Sequence, residues 1–336
     1  MRSFTPTPAP PGRLARLGVV LDTRNAPDRL REIARMCDRA GIDALWVRDH
    51  DAAVGGPRLE AWTALVLAAA DTSRVRVGAM LDIALRPAPM VAAMARTLDA
   101  ALPGRLEMGF AGDPGYPDGP VPRIESPDAA VRARQLKDYL GVVRPLLAEE
   151  SAGVAARDAP EAAAAPARPA GPPLCIEARE PAGFAVAARV ADNLLLPAMP
   201  LADIRAAIDL VRRECERADR DPASLGIGVE LPVSIGRTAA EARARAEAED
   251  LFATIGHPAA VGIFGTLEQG QDRVIELAHL GITDLRCVLP NATDVHDVIA
   301  QLTATVVGTS GALAPGAPRS RAPDPPPGWG GRRPGR

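Results

Sequence analysis

The chain has 336 residues, enough for one large domain or two ordinary ones. Hydrophobic residues make up 47% and charged residues 24%, a globular balance that excludes wholesale disorder. Acids outnumber bases 42 to 39, so the net charge of −3 offers no basic excess for nucleic acid or an anionic membrane.

Lys137 is the only lysine, so the remaining bases are arginine. A P-loop needs a lysine after its glycines, and no Gly-Lys-Ser/Thr occurs. Schiff-base chemistry would depend on Lys137, which falls in a helical, charged stretch. Aromatics are 3%, so the core must be built from Ala, Val, Leu and Ile. Cys37, Cys175, Cys215 and Cys287 are widely spaced and read as buried thiols. No histidine pair has HxxxH spacing, so no metal site is expected. Prolines in MRSFTPTPAPPG stand where a signal peptide would have its apolar region. The longest apolar run, Ala61–Ala70, is far short of the ~20 residues that span a bilayer. A cytoplasmic protein is expected.

In chain order, a flexible N-terminus (1–13) leads into LARLGVVLD (14–22), the first predicted strand. Pro27–Ala40 is a helix with Leu30, Ile33, Ala34 and Cys37 on one face, capped by Gly41. The second strand is 42–47, a helix covers Leu59–Ala70, and 74–85 is the third strand. Helix Met90–Ala101 leads to the fourth strand, 105–110, and helix Ala129–Leu147 follows. The stretch 151–171 is too proline-rich for a helix. Strands at 173–178, 191–197, 225–235 and 283–290 alternate with helices at Ala182–Val190, Ala202–Ala218, Ala239–Phe252 and Thr266–Leu280. Val295–Val306 closes the fold, and 309–336 is a Pro/Gly/Arg-rich tail expected to be disordered.

Eight strands, nearly all followed by helices, imply right-handed βαβ units and a parallel sheet. That count over residues 14–308 predicts a single-domain (β/α)8 TIM barrel. The rival, a doubly wound open sheet, usually carries GxGxxG after its first strand, where this chain reads LDTRNAP.

In such barrels the site lies at the C-terminal ends of the strands. His50 follows the second strand between Asp49 and Asp51, where a carboxylate can fix its tautomer, so it is the candidate general acid/base. The competing reading is a surface-loop histidine. His257, His279 and His296 fall on loops or helices and are read as structural or solvated. After the fourth strand, Gly109–Gly115 includes Gly112 and could present amides to phosphate, or be an ordinary turn. Glu177, Ala178 and Arg179 precede a helix start, a place suited to anions, or form a solvated loop. Glu230 and Arg286 are expected to pair as a structural bridge.

Four segments resemble the bacterial luciferase-like monooxygenase superfamily: AGIDALWVRDH (40–50), 71–110, 172–197 and 265–290. The similarity covers about residues 14–307. It implies an oxidoreductase or monooxygenase that uses FMN or the deazaflavin coenzyme F420 on a small organic substrate. It also implies His50 near the ring or substrate, with Asp49 as its acidic neighbour. Gly78, Ala79 and Met80 match the segment where many members have a bulge or non-proline cis peptide supporting the ring. Gly112, Glu177, Ala178 and Arg179 match the regions that hold the cofactor phosphate. Relatives are commonly dimers, so a homodimer belongs to the expectation.

The chain departs from the family pattern in three places. Gly-Phe-Ala-Gly-Asp-Pro replaces a loop that usually reads Gly-x-Gly-x-Gly-aromatic. Ala178 lacks a hydroxyl for phosphate, leaving backbone amides, and 148–171 lacks the aromatics of a lid. These departures keep open an alternative of another class, a non-catalytic member that serves as a binding or structural partner.

Overall fold

The computed structural model describes residues 15–49, 58–111, 128–158, 171–248, 258–290 and 295–307. Seven strands run in order before the first irregularity: β1 (Arg16–Val20), β2 (Ala44–Arg48), β3 (Arg76–Asp82), β4 (Leu106–Ala111), β5 (Leu174–Glu177), β6 (Asn193–Leu196) and β7 (Gly226–Ile235). A short β8 (Ile263–Gly265) precedes β9 (Asp284–Val288). All pairings are parallel. Strands β1 to β6 pair in sequence, β6 pairs with β7, and β9 lies between β7 and β1. The ring of eight strands is therefore closed, and the fold is the predicted (β/α)8 TIM barrel.

The ninth strand was not anticipated from the sequence. Strand β7 is ten residues long, and only its first part lies in the barrel wall. Beyond Pro232 it leaves the wall, and Val233–Ile235 pair with β8 instead. Proline cannot donate to a ladder, so it suits the point where β7 changes neighbours.

The outer helices among the described residues are α1 (Pro27–Ala40), α2 (Ala61–Ala70), α3 (Ala88–Ala101), α4 (Ala129–Asp158), α5 (Pro181–Val190), α6 (Leu201–Arg217), α7 (Ala239–Glu247), α8 (Pro258–Val261), α9 (Leu267–Leu280) and α10 (Val295–Val307). Their starts and stripes follow local chemistry. In α1, Pro27 occupies the first turn and Leu30, Ile33, Ala34 and Cys37 form the buried face. Thr266 and Gln269 form a reciprocal capping box on α9. One prediction fails here: α4 continues past Leu147 to Asp158, so 151–158 is helical rather than irregular. Pro145 sits inside that helix, and the alanines of 152–156 favour continuing it.

Alternation along the strands sorts the core into two compartments. Outward-facing residues such as Leu45, Val47, Val77, Ala79, Leu81, Met108 and Phe110 pack with the helices in one large apolar shell. Inward-facing Val20, Ala44, Trp46, Met80, Cys175 and Leu195 form a separate, smaller cluster inside the barrel. Gly78 makes that interior possible, because a Cβ there would lie 2.6 Å from the Trp46 ring. All four cysteines are buried thiols. No helix among the described residues is long and apolar enough to cross a membrane.

Candidate active site at the barrel mouth

Charged side chains fill much of the rest of the interior, at both ends of the barrel. At the N-terminal end, Arg16 donates to Glu107 at 2.6 Å, and Arg76 also pairs with Glu107. Burial opposes ionisation of Glu107, but the guanidinium groups of Arg16, Arg76 and Arg286 overcome it and hold its pKa down at about 2. One layer further in, Arg286 bonds Asp284 at 3.4 Å and lies 3.4 Å from the Trp46 ring centroid. Its Nη2 donates to Cys175 Sγ at 3.1 Å. Burial pushes that thiol up to about 11, so it stays neutral despite the neighbouring cation.

At the C-terminal end the pattern opens to solvent. Arg48, on β2, donates to Glu177 of β5 at 2.6 Å and to Glu230 of β7 at 2.8 Å. These side chains are 14–17% exposed, against 2–3% for the Arg16–Glu107 pair. Glu230 was expected to bridge Arg286. It sits beside Arg286 in register but ties to Arg48, while Arg286 takes Asp284. The physical reason is alternation on β9: Asp284 and Arg286 both point inward, and the nearer carboxylate wins.

The rim beside Arg48 carries Asp49. Its amide donates to Met80 O at 3.0 Å, and its Oδ2 accepts from the Asp82 amide at 2.9 Å and from Arg86. His50 and Gly112 lie outside the described residues. Met80 faces the barrel interior, whereas Ala79 turns outward into the helical shell and Gly78 is covered by Trp46. The expected bulge or cis peptide is not found: Arg76–Met80 pairs without interruption with β2 and Val77–Asp82 with β4, and no cis peptide occurs among the described residues.

The start of α5 forms a second polar feature. The first amide bonded within this helix is that of Phe184, to Glu180 O at 3.1 Å, so Ala182 and Gly183 precede the helical ladder. A Cβ on Gly183 would lie 2.6 Å from the Ala178 Cβ, so glycine lets the helix start press onto the end of β5. Exposed Arg179 lines a groove there with Arg132, Glu180 and Gly183. Arg132 and Glu180 are paired at 3.2 Å. The Ala178 amide, expected to be available for phosphate, instead donates to Leu195 O at 3.1 Å as an extension of the sheet. Among the other histidines, His279 and His296 are exposed on α9 and α10, and His257 lies outside the described residues.

Sequence reasoning placed Asp49, Glu177 and Arg179 at this end of the barrel, gave Arg48 no role although it ends the second strand, and missed Arg86 and Arg132. For Arg48 the signal was present: it continues the inward-facing series Ala44 and Trp46 on β2. Arg86 and Arg132 carried no local signal, since their partners are distant in the chain.

A closed parallel barrel with ion-paired groups collected at its C-terminal mouth defines the class of protein: a (β/α)8 TIM barrel with a polar mouth. The comparisons narrow it. A family model described as luciferase-like monooxygenase matches residues 4–284, so the chain belongs to that family. The F420-dependent glucose-6-phosphate dehydrogenase of Kineococcus radiotolerans is 31% identical over 130 residues, 37% of this chain. That match spans only 38% of the relative's own length. The coenzyme F420-dependent tetrahydromethanopterin reductase from Methanopyrus kandleri superposes with a TM-score of 0.68 at 19% identity. It covers 88% of this chain and 99% of its own. A riboflavin lyase with modified FMN and the substrate riboflavin superposes with a TM-score of 0.68 at 14% identity, over 91% of this chain and 94% of its own.

Proposed function

We propose that this chain is a flavin- or deazaflavin-dependent oxidoreductase acting on a small organic substrate at the barrel mouth. One observation carries the reading. The segment Glu177–Glu180 joins the Arg48 ion cluster to the start of α5, where Arg179 and unladdered amides favour an anion. A molecule with a planar polar head and an anionic arm would engage both features, and FMN and coenzyme F420 each have that form. The residues therefore fit the group, with Glu180 as an opposing charge already neutralised by Arg132.

In this reading Arg48, Glu177 and Met80 face the polar head, with the backbone of Gly78 and Ala79 behind Met80. Arg179, the first amides of α5 and Gly112 hold the anionic arm. His50 holds or moves the substrate's proton, and Asp49 anchors the strand end from which His50 follows. When bound, either cofactor supplies a ring that accepts or gives a hydride, while the chain supplies position, charge and the proton.

The test is titration of the purified full chain with FMN and with coenzyme F420, followed by fluorescence. Stoichiometric binding of one of them is expected, weakened about tenfold by Arg179→Ala through loss of a charge-assisted contact. If neither binds at micromolar concentration, the barrel serves as a binding or structural partner instead.

A further inference from the structure

We propose that the seam between α4 and α5 is a binding track for an oligoanionic chain, and that its occupant is the γ-linked glutamate tail of coenzyme F420, which FMN lacks. This rests on the mouth binding a flavin-type cofactor, and it chooses between the two. The helices run side by side and are tied at both ends. Arg132 pairs with Glu180 at 3.2 Å near the mouth, and Arg144 donates to Val190 O at 2.6 Å and to Asp192 at 3.0 Å at the other end. Between those ties the seam holds two recesses. The first is the groove of Arg132, Arg179 and Gly183, where the anionic arm is placed. The second, further along, is a recess of about 240 Å³ lined by Lys137, Arg189, Val186 and Val190. Ala133 and Lys137 on α4, and Gly183, Val186 and Val190 on α5, recur at three- and four-residue intervals, so each helix gives one face to both recesses.

Charge decides the occupant. The two recesses are lined by four cations, Arg132, Lys137, Arg179 and Arg189, and by one carboxylate, Glu180, which Arg132 already holds. Lys137, Arg179 and Arg189 are exposed, and among the described residues no carboxylate pairs with them. The nearest acid in sequence to Lys137 is Asp138, which Arg134 meets at 3.9 Å. A groove lined by one sign of charge focuses its field and gathers a chain of the opposite sign. From Glu180 to Arg189 the helix advances about 13 Å at ~1.5 Å per residue, a distance that a few extended residues cover. A phosphate held at Arg179 and the start of α5 therefore hands the carboxylates that follow it to Lys137 and Arg189. FMN ends at its phosphate and leaves the second recess unused.

The experiment titrates the purified full chain with FMN, with coenzyme F420 carrying several glutamates, and with the same coenzyme stripped of them, at low and at high salt. The series is repeated on the double variant Lys137→Gln/Arg189→Gln, whose two side chains are exposed and leave the fold intact. Fluorescence reads affinity without reference to turnover. The wild type should hold the tailed coenzyme about tenfold more tightly than the tail-less form at low salt, from two exposed charge contacts of about threefold each. Strong salt should shrink that preference to within about twofold. In the double variant the two forms should bind within about twofold of each other at every salt concentration. Arg243→Gln, a loss of charge on α7, should leave the tenfold preference in place. Equal affinity of the wild type for the two forms, or a preference that outlives both substitutions, overturns the track and leaves the cofactor reading standing. Binding of FMN alone does the same. If neither cofactor binds, the cofactor reading fails, and a free γ-linked oligoglutamate decides the track. Salt-sensitive binding that the double variant lacks supports it, and no binding at millimolar concentration overturns it.

Discussion

The two ends of the barrel interior use the same chemistry for different purposes. At the N-terminal end, Arg16 and Glu107 are packed away from water below the Arg286–Trp46 stack, and only Arg76, the second partner of Glu107, reaches the surface. At the mouth, Arg48, Glu177 and Glu230 make an equally direct ion cluster that solvent still reaches. Removing one partner of a buried pair leaves a charge with nowhere to go, whereas a solvent-reached cluster can trade partners. The lower cluster is thus committed to holding strands together, and the upper one is available to a ligand.

The sharpest way to break this contrast is Glu107→Ala, which takes from buried Arg16 its 2.6 Å partner and leaves it only Asp284 at 3.9 Å. Chemical denaturation should show a loss of about 3–5 kcal/mol, or failure to fold. Titration offers a second view of the same site. The carboxyl of Glu107 is depressed from 4.5 to about 2, so its stabilisation is fully present above its unfolded pKa. It should fade as pH falls from about 4.5 towards 2, and a thermal melt series across that window would show the decline. If Glu107→Gln melts with the same acid dependence as the wild type, Glu107 is not its source.

Next in size is Gly78→Val, which drives a side chain into the Trp46 ring and should cost about 1–3 kcal/mol by overpacking. Arg48→Met comes third. Because its cluster is part-exposed, a stability loss of only about 1 kcal/mol is expected, together with a weakened affinity for the cofactor that binds. A loss as large as that of Glu107→Ala would erase the distinction between the two ends. Smallest is Arg243→Gln, which removes an exposed i,i+4 pair with Glu247 on α7 and should change stability by about 0.3 kcal/mol.

Much of the architecture was readable because it depends on short-range patterns. Six of the eight barrel strands lie within their predicted spans, β2 and β4 run one residue past theirs, and α1 matches Pro27–Ala40 residue for residue. Helix α4 outran its prediction because proline counting over 151–171 hid an alanine-rich start. Strand β8 was missed because three residues leave no periodic signal. The Glu230–Arg286 pairing failed for a similar reason: neighbouring register alone does not say which of several inward charges meets which.

From the sequence alone came the barrel and the placing of Asp49, Glu177 and Arg179 at the C-terminal ends of its strands. Strand alternation and helix capping are local, so they are written within a few residues of where they act. Only the closed barrel decided that Arg48 spans to Glu177 and Glu230, that Gly78 gives way to Trp46, and that Arg86 joins Asp49 to Glu60. Those partners lie between 26 and 182 positions apart along the chain, and closure of the sheet is what brings them within reach.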